Sequence, residues 1–107
     1  MNKICTSLEQ SKKLVELGVD RKTSDIYYWC GEELIVGEYK AQDEECDVPA
    51  WSLPALMDLL DDTAGLAKEY GLWFCYDNRK SHCTKHYETQ IDAVFEMVCW
   101  LKENGKI

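Results

Sequence analysis

Both histidines of the chain and two of its six cysteines lie between positions 75 and 86: Cys75, His82, Cys83 and His86. Thiolate and imidazole are the ligands that zinc takes in tetrahedral sites, so this segment is the candidate metal centre of the sequence. The same residues permit a second chemistry, in which Cys75 or Cys83 is a nucleophile, His86 its base and Asp77 the orienting group. The spacing supports each only weakly. There is no C-x-x-C pair, and on a strand His82 and Cys83 point to opposite faces. His82 and His86 would share a face but stand two pleats apart, roughly 13 Å at standard strand rise. No nucleophile elbow, P-loop, dinucleotide fingerprint, EF-hand loop or HExxH motif is present, and no cofactor is implied.

The elements that must position these side chains are a hairpin and a helix. The alternation over 72–77 reads as a strand, with Leu72, Phe74 and Tyr76 on one face and Trp73 and Cys75 on the other. Residues 77–81 have turn chemistry, and 82–88 would return antiparallel. A helix then starts at Thr89, with Asp92 in the place of a capping acid. At about 100° per residue, Asp92, Glu96 and Glu103 fall in one narrow polar sector. Ile91, Val94, Phe95, Val98 and Leu101 form the main apolar stripe, and Ala93, Met97 and Trp100 widen it. So broad an apolar face must be covered on several sides. Either the domain itself does so, or Met97 and Trp100 remain exposed as an anchor for a partner, a role in which aromatic residues often dominate.

Upstream, Thr6-Ser7-Leu8-Glu9 fits a capping box opening a first amphipathic helix that Gly18 closes. Residues 26–30 and 34–40 read as a hairpin, 41–48 as an acidic loop, and 53–60 as a helix capped by Ser52 with Pro54 in its first turn. Residues 61–71 are ambiguous, and 64–70 could form a short helix weakened by Gly65. The order predicts a single α+β domain over residues 1–107. Its natural closure is an antiparallel sheet of about four strands with two to three helices packed on one face.

Composition narrows the function. With 46% hydrophobic and 30% charged residues, twelve of them aromatic by type, this is an ordinary globular chain. A net charge of −8 argues against direct nucleic-acid binding and against anionic membranes. No apolar run reaches the roughly 20 residues of a membrane span, and residues 1–5 lack the apolar stretch of a signal peptide. Both point to the cytoplasm, where irregularly spaced cysteines stay reduced. Between Lys40 and Lys68 there is no basic residue, while Asp43, Glu44, Glu45, Asp47, Asp58, Asp61 and Asp62 fall there. The acidic segment 41–67 is either a solubilising face or, through Asp43, Glu44 and Glu45, a surface for a basic partner.

Three blocks carry a resemblance: 5–14 (CTSLEQSKKL), 48–53 (VPAWSL) and 93–101 (AVFEMVCWL). They resemble a family of small uncharacterised proteins encoded by phages and mobile elements of gut Bacteroidales. The resemblance implies no site and no activity. The expected function is therefore a mobile-element accessory that works, without catalysis, by binding another protein or itself. The alternatives are a metal-stabilised regulatory module built on the 75–86 hairpin, and a small cysteine-nucleophile enzyme.

Overall fold

The computed structural model describes residues 4–29, 33–36 and 48–107. Asp43, Glu44 and Glu45, and with them much of the acidic segment, lie outside the described residues.

Helix α1 (Leu8–Glu16) begins one residue later than the sequence suggests. Ser7, not Thr6, is the cap: its hydroxyl accepts the Gln10 N–H at 3.1 Å, and the Gln10 side-chain oxygen accepts the Ser7 N–H at 3.0 Å. The shift has a tertiary cause. Thr6 is fully buried, shares a 2.7 Å hydrogen bond with Ser11, and accepts the Trp51 N–H at 3.1 Å, so its hydroxyl is committed to the interior. At the other end Gly18 takes φ +90°, and the Val19 N–H reaches back to the Leu14 carbonyl at 3.0 Å. Leu14 and Val19 then meet in the core, the apolar contact that usually accompanies this stop.

The expected first hairpin forms. Strands β1 (Ile26–Trp29) and β2 (Glu33–Val36) pair antiparallel from Ile26↔Val36 to Trp29↔Glu33. A third strand, β3 (Val48–Ala50), pairs with the other edge of β1; it takes in Val48, the last residue of the expected 41–48 loop, and two residues for which no element was expected. Three residues with a central proline carry no readable periodicity, and Pro49 is tolerated because the order β2-β1-β3 leaves this strand at an edge. Helix α2 (Leu53–Met57) is capped by Ser52 and is shorter than the expected 53–60. Its chain tightens into three-residue hydrogen bonds at Leu59 and Leu60.

The ambiguous stretch becomes strand β4 (Ala64–Glu69), not a helix. It pairs with β5 (Leu72–Asp77) over six residues, from Ala64↔Asp77 to Glu69↔Leu72. The two-residue loop between them, Tyr70-Gly71, has φ +53° and +80°, the left-handed pair that matches hairpin twist. Ala, Leu, Lys and Glu favour helix locally, but the long pairing with β5 overrides that preference. Gly65 is required by its neighbour. A Cβ there would lie 2.6 Å from the Tyr76 hydroxyl, because the two residues are directly paired. Strand β6 (His82–Cys83) completes the second sheet in the order β4-β5-β6.

Helix α3 (Gln90–Glu103) starts where expected, with the Thr89 hydroxyl accepting the Asp92 N–H at 3.1 Å. Ile91, Ala93, Val94, Met97, Val98, Cys99 and Leu101 are all buried. One side of α3 lies against β5 and β4, and α2 packs on another. Leu14 of α1 joins the same core, and Gln10 donates to Asp92 at 2.7 Å across the α1–α3 contact. The α+β class thus holds, with antiparallel strands divided between two three-stranded sheets. The breadth of the apolar face on α3 is answered by covering on several sides.

Candidate interaction and ligand site

The hairpin that holds the candidate metal ligands departs from simple alternation at one place. Thr84 exchanges hydrogen bonds with Cys75: its N–H donates to the Cys75 carbonyl at 2.8 Å, and its hydroxyl accepts the Cys75 N–H at 2.9 Å. The next paired positions are Trp73 and Tyr87, which exchange two 2.7 Å bonds. Lys85 and His86 therefore stand opposite Phe74 alone, which is a β-bulge. One extra residue reverses the parity of everything after it. His82 faces inward, where its ring stacks on Trp100 of α3 at 3.7 Å and 6°. His86 faces outward, with its ring centroid 4.9 Å from that of Phe74.

The four candidate ligands are consequently split. Cys75 and His82 lie on the inner face, Cys83 and His86 on the outer one, and the expectation that the histidines share a face is corrected by the bulge. Among the described residues no group of three or more His, Cys, Asp or Glu converges as a metal site would require. Nor does Cys75 have the environment of a nucleophile. Burial, reinforced by the nearby charge of Asp77, pushes its thiol up to about 12, whereas a nucleophile needs the thiolate. The described cysteines Cys5, Cys75, Cys83 and Cys99 are free thiols, and of these only Cys83 is exposed.

Asp77 organises the turn instead. Its side chain is fully buried, and burial alone would raise its pKa. Hydrogen bonds outweigh that: Thr63 donates at 2.9 Å, the Arg79 N–H at 3.0 Å and the Lys80 N–H at 3.1 Å. With the Lys80 ammonium at 3.3 Å they hold the carboxyl below its ordinary value of 3.8. Lys80 also donates to Asp61 at 2.6 Å. The result fixes residues 78–80 beside the end of α3. There the Gly105 N–H bonds the Lys102 carbonyl at 3.2 Å and the Lys106 N–H bonds the Leu101 carbonyl at 2.8 Å, with Gly105 at φ +65°. Between these two ends lies a cavity of about 660 Å³ lined by Asp61, Arg79, Lys80, Trp100 and Lys106.

Of the two anchors expected on α3, Met97 is fully buried and has no surface to offer a partner. Trp100 is half-buried, its ring held by His82 and bordering the cavity. The exposed aromatic surface is elsewhere, on the outer face of β4–β6. Phe74 and Tyr76 are half-buried there, with ring centroids 6.2 Å apart, and belong to neither core cluster. Leu72 is 36% exposed and Tyr70, at the tip of the β4–β5 turn, 95%. His86 lies 3.8 Å from Glu69 on the same face.

Alternation over 72–77 already separated Phe74 and Tyr76 from Trp73 and Cys75, so this face was legible once α3 was known to take the other side. Arg79, Lys80 and Lys106 were not legible as neighbours, because the turn and the end of the last helix that carry them are far apart in the chain. No known protein family, characterised protein or solved structure matches the chain.

Proposed function

We propose that this chain is a non-enzymatic protein-interaction module. It would bind another protein, or a second copy of itself, through the outer face of β4–β6. The reading as a cytoplasmic accessory of a mobile element rests on the sequence resemblance alone. It is compatible with the absence, among the described residues, of any helix long and apolar enough to cross a membrane. The observation that supports an interaction role most is the apolar strip of Leu72, Phe74 and Tyr76, with Tyr70 at the adjoining turn, on a sheet face that no described helix packs against. Aromatic side chains bring large contact area at low entropic cost, and interfaces are enriched in them.

The test compares the wild-type chain with a Leu72→Ser, Phe74→Ser double variant in cross-linking, light scattering and pull-down from a host lysate. The wild type is expected to self-associate or to retain a partner, and the variant to lose that association while keeping its circular-dichroism spectrum. A strict monomer that retains nothing, or association equal in both proteins, would sink the proposal.

A further inference from the structure

The cavity at the C-terminal end of α3 has a charge character opposite to that of the whole molecule. Three of its five described lining residues are cationic, in a chain of net charge −8. The one carboxylate in the lining, Asp61, is already bound by Lys80 at 2.6 Å, and Lys80 is in turn shared with buried Asp77. Among the described residues neither Arg79 nor Lys106 makes an ion pair. Two cations with no ion-pair partner among the described residues therefore border one concavity, and each is set by a fixed backbone. Arg79 follows from the Asp77-centred turn, and Lys106 from the glycine stop of α3. Trp100 also borders the cavity, and its ring is stacked on His82 at 3.7 Å and 6°.

We infer that this cavity binds a small anion carrying a planar ring, the chemistry of a nucleoside monophosphate. The phosphate would sit between the Arg79 guanidinium and the Lys106 ammonium, and the ring beside Trp100. A concavity of about 660 Å³, open to solvent on one side, has room for such a ligand. A planar guanidinium suits a phosphate because it presents parallel donors, while a lysine adds a mobile point charge. A cation is disfavoured, since among the described residues Asp61 is the only carboxylate in the lining and Lys80 already pairs with it. A long nucleic acid is disfavoured as well, since its further phosphates would meet the acidic remainder of the protein. The site is independent of the outer sheet face, so its failure would leave the interaction reading untouched.

Titration of the full chain with adenosine monophosphate, adenosine and inorganic phosphate tests it, followed by the indole N–H resonances of the four tryptophans. The monophosphate is expected to bind saturably and to shift one indole resonance, assigned to Trp100 by its loss in Trp100→Phe. Adenosine and phosphate alone should each bind at least about tenfold more weakly, since each lacks one of the two contacts. Arg79→Gln and Lys106→Gln alter exposed residues and should leave the fold intact. Each is expected to weaken monophosphate binding about threefold to tenfold. No saturation by 10 mM ligand (roughly the weak limit of useful small-ligand recognition), or affinity unchanged in both variants, overturns the inference. Phosphate binding as tightly as the monophosphate removes the ring from it. A 5′-phosphorylated oligonucleotide binding much more tightly than the monophosphate overturns the assignment to a small ligand.

Discussion

The two faces of the β4–β5–β6 sheet are built from the same residue types and behave as different materials. Each carries one cysteine, one histidine and aromatic rings: Trp73, Cys75 and His82 inside, Phe74, Tyr76, Cys83 and His86 outside. Inside, α3 takes water away. Cys75 becomes an inert thiol, His82 becomes a stacking partner for Trp100, and Asp77 becomes a hydrogen-bond hub. Outside, Cys83 and His86 remain exposed and Phe74 and Tyr76 stay only half-covered. Residue type sets what a side chain can do, and the side of the sheet sets whether it does it.

The largest expected break in this contrast comes from Met97→Ala. Met97 is fully buried in the core that α3 shares with the sheet and α2, so the substitution should lower the unfolding free energy in urea by about 2–5 kcal/mol. A loss below about 0.5 kcal/mol would mean that α3 does not seal the inner face as described.

Next in size is Asp77→Ala, which removes the acceptor for Thr63 and for two backbone N–H groups. It is expected to cost about 2–4 kcal/mol. The same carboxylate predicts a pH dependence with a definite sign. Its folded pKa is below the ordinary value, so the folded protein binds this proton less readily than the unfolded chain does. The stabilisation is complete above the unfolded value of 3.8 and is lost as pH falls through the lower, folded one. Asp77→Asn should flatten that part of the acid-unfolding profile. An unchanged profile between wild type and variant would show that other carboxylates set it.

The smallest perturbation is chemical labelling at pH 8, read cysteine by cysteine by mass spectrometry. Cys83 should react readily, whereas Cys75 and Cys99, both pushed up to about 12 chiefly by burial, should react only on opening of the fold. Equal rates at Cys75 and Cys83 would erase the distinction between the two faces, and would return Cys75 to consideration as a nucleophile.

What could be read in advance followed from local pattern. The cap at Thr89, the apolar breadth of α3, the β1–β2 hairpin and the alternation of β5 all depend on neighbours within a few residues. β3 and β4 escaped because their identity lies in long-range pairing. Val48–Ala50 is too short to show a period, and Ala64–Glu69 has helix-forming residues held straight by β5. The bulge at Lys85-His86 escaped because no turn residue marks it. Missing it placed His82 and His86 on one face.

Sequence by itself therefore determined that this chain forms an α+β domain, that its last helix must be covered on several sides, and that Phe74 and Tyr76 oppose Cys75. Only the tertiary structure decided that Met97 meets the chain's own core and that Trp100 is clamped by His82. It also decided that Arg79, Lys80 and Lys106 border one cavity, and that the cysteines and histidines of the hairpin are divided between two environments. The physical reason is that periodicity reports which residues share a face. What lies against that face is set by contacts between residues far apart in the chain.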